Sequence, residues 1–404
     1  MKLEFSDRDG RAVALVSNEH ADRSADWSAA QNEILNDAAL TTARDTITSW
    51  PGYAATPLHA LRGLAEETGV AAIHYKDESS RFGLGSFKAL GGAYAVARLL
   101  AAQVGCPLSE IVARKHDEAV SKITVCCATD GNHGRSVAWG AQTFGANCVI
   151  FIHATVSEGR KDAIAAYGAE VRRCSGNYDD SVREAQETAS REGWFVVSDT
   201  SYPGYMDVPR DVMQGYEVMA NEAFGAMDLA PTHIFLQTGV GGMAAAIAAC
   251  AKRRWGGGRP KIVLVDPDQS ACWVDTYAAG EPTAVHGDLD TLMAGLACGE
   301  ISALAWEILQ DHGDAAMAVT DASAIDLMQR LAKPSNGDTP IVAGESAVAG
   351  LAGLLAAMGN GDAKARLDLD ATSRILVFGT EGDTDPELFK ELIGNSGDEI
   401  RALQ

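Results

Sequence analysis

Short apolar segments alternate with alanine-rich segments of helical periodicity from about residue 70 to residue 378. The apolar segments predict β-strands over residues 71–75, 123–128, 148–152, 170–171, 195–197, 233–236, 262–265 and 374–378. The segments between them predict helices over residues 89–102, 134–144, 157–167 and 211–224. Because strands that alternate with helices form parallel sheets joined by right-handed crossovers, the pattern indicates an α/β protein.

The two ends of the chain carry a weaker pattern. The first 50 residues show little periodicity and are expected to wrap around another part of the protein, and the last ten are expected to form a peripheral tail. A chain of 404 residues is long for a single core, so two domains are expected.

Composition and charge narrow the class of function. The chain carries 33 basic and 55 acidic residues, a formal charge of −22, which repels nucleic-acid phosphates. No window approaches the roughly 18 apolar residues of a membrane span, and residues 1–7 include no signal-like apolar run. We therefore predict a cytoplasmic protein that binds neither nucleic acid nor membranes.

The eight cysteines include no CxxC pair and no zinc-finger spacing, so no metal site is predicted. Cys126 and Cys127 lie in a predicted strand and are expected in the core. Cys272 and Cys298 both lie in predicted loops and could approach each other, which leaves a disulfide bond between them open, although cytosolic thiols are usually reduced.

A lysine follows a glycine-containing loop at the start of a predicted helix. Residues 79–88 end in Lys88, and Ser86 is the predicted N-cap. The positive end of the helix dipole disfavours a protonated amine there, and a neutral amine can form a Schiff base with a carbonyl cofactor. An ordinary surface lysine remains the alternative interpretation.

A second candidate motif, residues 129–134, joins a predicted strand to a predicted helix. Ligands of α/β sheets bind at such strand ends. Asn132 can donate a hydrogen bond to a ring oxygen, and Asp130 can act as a base. A purely structural turn with a solvated carboxylate is the alternative.

Two further loops follow predicted strands. The first predicts a phosphate cradle at a helix N-terminus and consists of Gly239, Val240, Gly241, Gly242 and Met243. No lysine follows these glycines, so this is not a Walker loop. With Asp266 at the end of the next strand, it also fits a nicotinamide-dinucleotide site. In the second loop, Thr380 can hydrogen-bond a heteroaromatic nitrogen, although the carboxylates after it could instead bind a cation.

Taken in order, these segments resemble the fold type II (tryptophan synthase β-like) family of pyridoxal-phosphate enzymes, and within it the diaminopropionate ammonia-lyase group. The resemblance is carried by residues 76–88, 129–134, 199–200, 213–216, 239–243, 293–296, 344–346 and 380–385. It implies two domains, each with a mainly parallel, helix-covered sheet. The larger, cofactor-binding domain would comprise residues 1–88 and 206–404, with the smaller domain, residues 89–205, inserted in it. A homodimer is also implied.

The resemblance further implies how the cofactor, pyridoxal 5'-phosphate, is held. Lys88 would bind it as an aldimine, with Phe87 beside it and Asn132 at its 3-oxygen. Residues 239–243 would bind the phosphate, and the hydroxyl of Thr380 would face the pyridine nitrogen. A neutral hydroxyl there tempers the electron sink, which suits elimination better than transamination.

The implied reaction is α,β-elimination of 2,3-diaminopropionate, in both the D and L forms, to pyruvate and two ammonia. Related dehydratases carry a serine where this chain has Asp130, so Asp130 would be a second base opposite Lys88, and Asp199 would lie near the β-amino group. A dehydratase acting on serine, threonine or 3-hydroxyaspartate is the alternative within the same chemistry. An NAD-dependent dehydrogenase and a catalytically silent sensor are more distant alternatives.

Overall fold

The computed structural model describes residues 2–129, 131–176, 178–335 and 337–403, and of residue 179 only the backbone. These residues divide into two compact units. Unit 1 comprises Met1–Glu33, Ala55–Ser80 and Ala220–Gln404, and unit 2 comprises Ile34–Ala54 and Arg81–Met219.

Strands and helices alternate through both units. The strands are β1 (Leu3–Ser6), β2 (Ala12–Ser17), β3 (Leu58–Ala60), β4 (Ala72–Asp77), β5 (Thr124–Ala128), β6 (Asn147–Ile152), β7 (Glu170–Arg173), β8 (Phe195–Val196), β9 (His233–Gln237), β10 (Lys261–Pro267), β11 (Ala315–Val319) and β12 (Arg374–Gly379). The helices are α1 (Ala29–Ile34), α2 (Asp37–Thr48), α3 (Arg62–Thr68), α4 (Lys88–Val104), α5 (Leu108–Val112), α6 (Asp117–Val120), α7 (Asn132–Phe144), α8 (Glu158–Ala165), α9 (Tyr178–Glu192), α10 (Asp207–Ala226), α11 (Gly242–Trp255), α12 (Cys272–Ala279), α13 (Ala303–His312), α14 (Asp321–Ala332), α15 (Ala349–Met358), α16 (Gly361–Leu367), α17 (Pro386–Ile393) and α18 (Gly397–Arg401).

Unit 1 is built on an eight-stranded sheet in the order β1-β2-β11-β10-β9-β12-β4-β3. The five central strands, from β11 to β4, pair in parallel, and antiparallel strands border them at both edges. Strands β9 and β11 are buried along their whole length, as expected where helices cover both faces of a sheet. The carboxyl ends of β9 and β12 lead into the two loops of this unit that carry the candidate chemistry.

Unit 2 contains a smaller sheet in the order β7-β6-β5-β8, in which all pairings are parallel. The predicted α/β class is therefore confirmed, and each sheet is mainly or wholly parallel. The predicted domain limits at residues 88 and 206 do not coincide with the limits of the compact units. Compact units are groups of mutual contacts and need not be inherited domains, so the domain limits stay a prediction.

Helices α4 and α7 of unit 2 pack at very short range because small residues line their contact. A Cβ atom added at Gly92 would lie 2.0 Å from the Oγ of Ser136, and one added at Gly140 would lie 2.8 Å from the Cα of Ala93. Larger side chains would therefore force the helices apart. The first residues of these helices, Lys88 and Asn132, are both predicted site residues.

The chain ends differ from the prediction. Near the N-terminus, β1 and β2 form an antiparallel hairpin that joins the large sheet through β11. Part of the first 50 residues therefore belongs to the sheet of unit 1, and the expectation that they only wrap around another part of the protein is wrong for this part. Near the C-terminus, Ser396 and Glu399 form a capping box for α18, and Ile400 is buried in the core of unit 1. The expected peripheral tail is thus wrong, because the apolar side chain of Ile400 anchors it. No helix among the described residues is both long and apolar enough to cross a membrane.

Candidate active site

Lys88 is the first residue of α4, as the sequence predicts, but the helix cap differs. The N-cap is Phe87, in a helical conformation and without a capping side chain, so the prediction of Ser86 as the N-cap is wrong. The loop before it turns sharply, with positive φ values at Phe82, Gly83 and Gly85. This tight turn delivers Lys88 to the positive end of α4.

The amine of Lys88 contacts a carboxylate and two aromatic rings within unit 2. Its Nζ lies 2.7 Å from the Oδ2 of Asp199. It also lies 5.4 Å from the ring centroid of Phe87 and 5.9 Å from that of Tyr216. The side chains of Lys88 and Asp199 are about 20% and 19% exposed, so the pair is largely shielded from water yet reachable.

The segment that carries Asp199 is fixed by one tyrosine. The hydroxyl of Tyr205 accepts a hydrogen bond from the Ser198 backbone N–H at 3.0 Å and donates one to the Val196 carbonyl at 2.9 Å. This side chain bridges the end of β8 and the residue before Asp199. Because both hydrogen bonds are made to backbone atoms, Tyr205 sets the path of the chain leading to the carboxylate.

Asp199 stays ionised in this setting. Burial raises the pKa of Asp199, but the nearby Lys88 and His133 together outweigh burial and bring the pKa below its ordinary value. The Nε2 of His133 lies 2.8 Å from the Val197 carbonyl, so that nitrogen donates, and its Nδ1 faces the Oδ2 of Asp199 at 3.7 Å. The carboxylate of Asp199 therefore lies between the amine of Lys88 and the ring of His133.

The turn between β5 and α7 presents Asn132 at the helix start. The Oγ1 of Thr129 accepts hydrogen bonds from the N–H groups of Gly131 and Gly134, each at 3.1 Å. A Cβ atom at Gly134 would lie 2.3 Å from the Thr129 side chain, so this glycine permits the turn to close. Asp130, the predicted second base, lies outside the described residues.

In unit 1, the predicted phosphate loop lies at the start of α11, which begins at Gly242. Gly241 has a φ of +93°, and a Cβ atom there would lie 2.2 Å from the ring of Trp273. The Nε1 of Trp273 donates to the Gly239 carbonyl at 3.0 Å. The first N–H groups of a helix have no acceptor within it, so this loop can bind an anion. Val240 and Met243 belong to the same turn.

The dinucleotide interpretation of this loop is wrong. Asp266 would have to present its carboxylate to ribose hydroxyls, but it is completely buried. It accepts hydrogen bonds from the hydroxyl of Thr238 at 2.5 Å and from the N–H groups of Trp273 at 2.9 Å and Val274 at 3.2 Å. Its role is to tie α12 to the strand end beneath the loop.

Thr380 follows β12 and is buried beside Gln237. The Nε2 of Gln237 donates to the Thr380 hydroxyl at 2.8 Å and to the Phe378 carbonyl at 2.7 Å. Because the Phe378 carbonyl can only accept a hydrogen bond, the amide group of Gln237 must direct its nitrogen, and not its oxygen, toward it. Since Thr380 accepts from Gln237, its own proton points elsewhere, and its contact with the Ser346 carbonyl is long, at 3.4 Å. The hydroxyl can therefore donate to a ligand nitrogen.

The carboxylates after Thr380 are engaged in protein contacts. Glu381 accepts from the Ser346 N–H at 2.9 Å, Asp385 caps α17, and Asp383 pairs with Arg401. These contacts orient the carboxylates toward protein donors, which favours a structural role over the cation-binding alternative.

Sequence reasoning missed several residues that shape these two regions. His133 lies within the predicted motif of residues 129–134, and its position there could have suggested a role. Gln237 and Trp273 act on backbone or hydroxyl groups that are distant in sequence, so no local pattern reveals them. Tyr205 acts on backbone atoms seven and nine residues before it, across an irregular segment that has no periodic pattern. None of the eight cysteines, all of them in the described part of the chain, forms a disulfide bond. Cys272 and Cys298 are thus not joined in the structure.

Comparisons with known proteins point to a single family. The family described as "Pyridoxal-phosphate dependent enzyme" matches residues 49–378. The diaminopropionate ammonia-lyase of Salmonella typhimurium is 39% identical over 360 residues, which cover 85% of this chain and 89% of the relative. The holo structure of diaminopropionate ammonia lyase from Escherichia coli superposes with a TM-score of 0.86 at 35% identity, covering 97% of this chain and 98% of that one. Its complex with D-serine has a TM-score of 0.86 at 34% identity, covering 100% of both chains.

The chain belongs to the pyridoxal-phosphate dependent enzyme family. The predicted family, fold type II architecture and cofactor are confirmed. The chemistry of the residues in each unit fits the cofactor. In unit 2, the lysine amine can form a Schiff base with a carbonyl group. In unit 1, taken by itself, the glycine-lined helix start can bind a phosphate and the oriented hydroxyl can meet a ring nitrogen.

Proposed function

We propose that this chain is a carbon–nitrogen lyase that converts D- and L-2,3-diaminopropionate and one water molecule to pyruvate and two ammonia. The observation that carries the proposal is the carboxylate of Asp199 placed 2.7 Å from the amine of Lys88. Relatives named for this activity align over 85% of the chain, which supports the same assignment.

Pyridoxal phosphate, when bound, supplies an electron sink for the charge left when the α-proton of an amino acid departs. We assign Lys88 to its carbonyl carbon, Phe87 and Asn132 to its ring, and Thr380 to its ring nitrogen. Residues 239–243 would hold its phosphate through backbone N–H groups at the start of α11. These assignments rest on the family resemblance together with the local geometry of each residue.

Two bases would serve the two enantiomers. The amine of Lys88 would accept the α-proton of one enantiomer, and the carboxylate of Asp130 that of the other, from the opposite side. General-base assistance is worth about 10²–10⁴-fold in rate, so each base should dominate the turnover of its own enantiomer.

Asp199 would select the substrate by charge. A shielded carboxylate forms a stronger hydrogen bond to an ammonium group than to a neutral hydroxyl. It would therefore hold the β-ammonium of diaminopropionate in preference to the β-hydroxyl of serine or threonine. This charge favours the lyase over the dehydratase alternative.

A substrate panel tests the proposal. The holoenzyme is assayed for pyruvate and ammonia with D- and L-2,3-diaminopropionate, D- and L-serine, L-threonine and 3-hydroxyaspartate. We expect two ammonia per pyruvate from diaminopropionate, with a kcat/KM well above that for every hydroxy amino acid. A higher kcat/KM for a hydroxy amino acid would establish the dehydratase instead. Borohydride reduction followed by peptide mapping should place the cofactor on Lys88, and the Lys88→Ala variant should take up no label.

From the family resemblance we also propose a homodimer that acts in the cytoplasm. Light scattering of the purified holoenzyme should give twice the chain mass of 42.4 kDa. A mass equal to that of one chain contradicts the dimer. Fractionation of the source cells, with an antibody against the chain, tests the location.

A further inference from the structure

A second group of chemically active side chains lies in unit 2, away from Lys88. The Sγ of Cys106, a carboxylate oxygen of Glu110 and a ring nitrogen of His116 all lie within 4.8 Å of one another. Among the residues that the structure describes, this is the only set of three metal-type donors gathered so closely. Its spacing, Cys-x3-Glu-x5-His, matches no common sequence signature.

We propose that Cys106, Glu110 and His116 form a binding site for a zinc-type divalent cation. Thiolate, carboxylate and imidazole are the donors that zinc takes in proteins, at about 2.0–2.3 Å. Tetrahedral bonds of that length place neighbouring donor atoms about 3.4–3.6 Å apart. The present donors all lie within 4.8 Å of one another, so only small side-chain shifts are needed to reach those separations.

The backbone that carries the three donors is fixed by local contacts. Gly105 ends α4 in a left-handed conformation, and the N–H of Cys106 bonds the Ala101 carbonyl at 3.1 Å. Beyond α5, the N–H of Lys115 bonds the Glu110 carbonyl at 3.0 Å. These two hydrogen bonds fix the backbone at Cys106 and Glu110, from which the two donor side chains extend.

A strained residue places His116. Arg114 has a φ of +57°, which is unfavourable for a residue with a Cβ atom. Its guanidinium holds this turn in place by bonding the Thr143 carbonyl at 2.8 Å and the Asp117 carboxylate at 2.6 Å. The turn brings the Nε2 of His116 to 2.7 Å from the Oε2 of Glu110. The strained backbone at Arg114 thus lies at the turn that brings His116 to the other two donors.

Charge at the cluster suits a divalent cation. A thiolate and a carboxylate together carry two negative charges, which balance the two positive charges of the ion. His116 and Glu110 are each about one-third exposed, which leaves room for water as a fourth ligand. Binding of the ion would displace the proton of the Cys106 thiol. The opposing cation, Lys115, lies 3.9 Å from Glu110 on an exposed side chain that can turn away.

Cobalt(II), a spectroscopic substitute for zinc, tests the site in the holoenzyme after dialysis against a chelator. We expect one equivalent of Co²⁺ to bind with thiolate-to-metal charge-transfer absorption, and Zn²⁺ to displace it. The Cys106→Ser variant should lose this absorption, and Glu110→Gln and His116→Gln should each weaken binding at least tenfold. Cys298→Ser, which removes another partly exposed thiol, and His286→Gln should bind Co²⁺ as the parent does.

Thermal unfolding provides the second measurement. Zn²⁺ should raise the unfolding midpoint of the parent and of both control variants, because an ion that binds only the folded state stabilises it, and should not raise that of Cys106→Ser. Absence of thiolate absorption in the parent, or its persistence in Cys106→Ser, overturns the proposal. The unchanged cofactor absorbance of each variant shows that it is folded.

Discussion

The amide nitrogen of Gln237 donates a hydrogen bond to the hydroxyl of Thr380 at 2.8 Å. The same nitrogen bonds the Phe378 carbonyl, so the amide cannot turn over without placing two oxygens against each other. One residue on β9 therefore decides which way the hydroxyl proton after β12 points. That orientation leaves the hydroxyl able to donate to a ligand nitrogen, as the proposed assignment of Thr380 to the pyridine nitrogen requires.

Replacing Thr380 tests this orientation. In Thr380→Val the donor disappears while the side-chain shape is kept, and we expect kcat/KM for diaminopropionate to fall about 10-fold or more because a hydrogen bond of about 1.4 kcal/mol is lost. Thr380→Ser retains the hydroxyl and should keep most of the activity. Equal activity in the Val and Ser variants would show that the hydroxyl does not act on the cofactor.

Neutralising Asp199 should change substrate preference. In Asp199→Asn we expect kcat/KM for diaminopropionate to fall about 10²-fold, since a charge-assisted hydrogen bond worth about 2–3 kcal/mol is lost. The serine reaction, which does not use that charge, should fall much less. Because both substrates feel any loss of the Lys88 contact, the ratio of the two kcat/KM values is the measurement. An unchanged ratio would sink the assignment of Asp199 to the β-ammonium.

Tyr205 should act on activity through the backbone. Tyr205→Phe removes the hydrogen bonds to Ser198 and Val196 and should lower the free energy of unfolding by about 1–3 kcal/mol. The preference for diaminopropionate over serine should also fall, because Asp199 loses its fixed position. Tyr202→Phe is the matched control, since that ring is 42% exposed. If both variants behave alike, Tyr205 has no positioning role.

Gly241 should be intolerant of a side chain. Gly241→Ala adds a methyl group 2.2 Å from the ring of Trp273 and forces alanine into a φ of +93°. We expect the dissociation constant of pyridoxal phosphate to rise at least tenfold. Gly69→Ala is the control, because Gly69 has a φ of +78° but open space around it. That variant measures the cost of a positive φ alone, which is about 1 kcal/mol of stability. Equal cofactor affinity in the two variants would argue against a cradle at Gly241.

Buried Asp266 should make stability depend on pH. Burial raises the pKa of Asp266 from 3.8 to about 7, against the opposing effect of its three hydrogen-bond donors. A raised pKa in the folded state means that this group's contribution is fully present below about pH 4 and is lost as the pH rises through 7. The unfolding free energy of the parent relative to Asp266→Asn should therefore fall by a few kcal/mol between pH 4 and pH 7.

Denaturant titrations of the two proteins across this pH range provide the measurement. A difference that stays constant with pH would mean that the donors from Thr238, Trp273 and Val274 hold the pKa near its ordinary value.

Much of the fold was accessible from the sequence because buried parallel strands are short, apolar and bounded by turns. Strand β11 was missed, since its residues, Ala315–Val319, are mostly alanine and methionine and carry little β preference. Hairpin β1–β2 was missed because its partner strand, β11, lies about 300 residues away along the chain. Pairing at that distance leaves no local periodicity.

The residues of the candidate site likewise fall into those with a local sequence signal and those without one. Lys88, Asn132 and residues 239–243 each lie at a turn whose glycines and helix start are visible locally. The functions of Gln237 and Tyr205 depend on which backbone atoms the fold brings beside them, which no spacing reveals. At Asp266 a local pattern was misleading. The sequence fitted a dinucleotide motif, but the carboxylate of Asp266 is completely buried and directed into the protein.

The contact between α4 and α7 also limits how this enzyme can diverge. Because a methyl group at Gly92 would overlap Ser136, bulk can be added on one helix only where it is removed from the other. Substitutions at these two positions are therefore expected to arise in compensating pairs. Because Lys88 and Asn132 begin these two helices, the same close packing restrains the separation of the two residues, and changes of substrate range are expected in the loops.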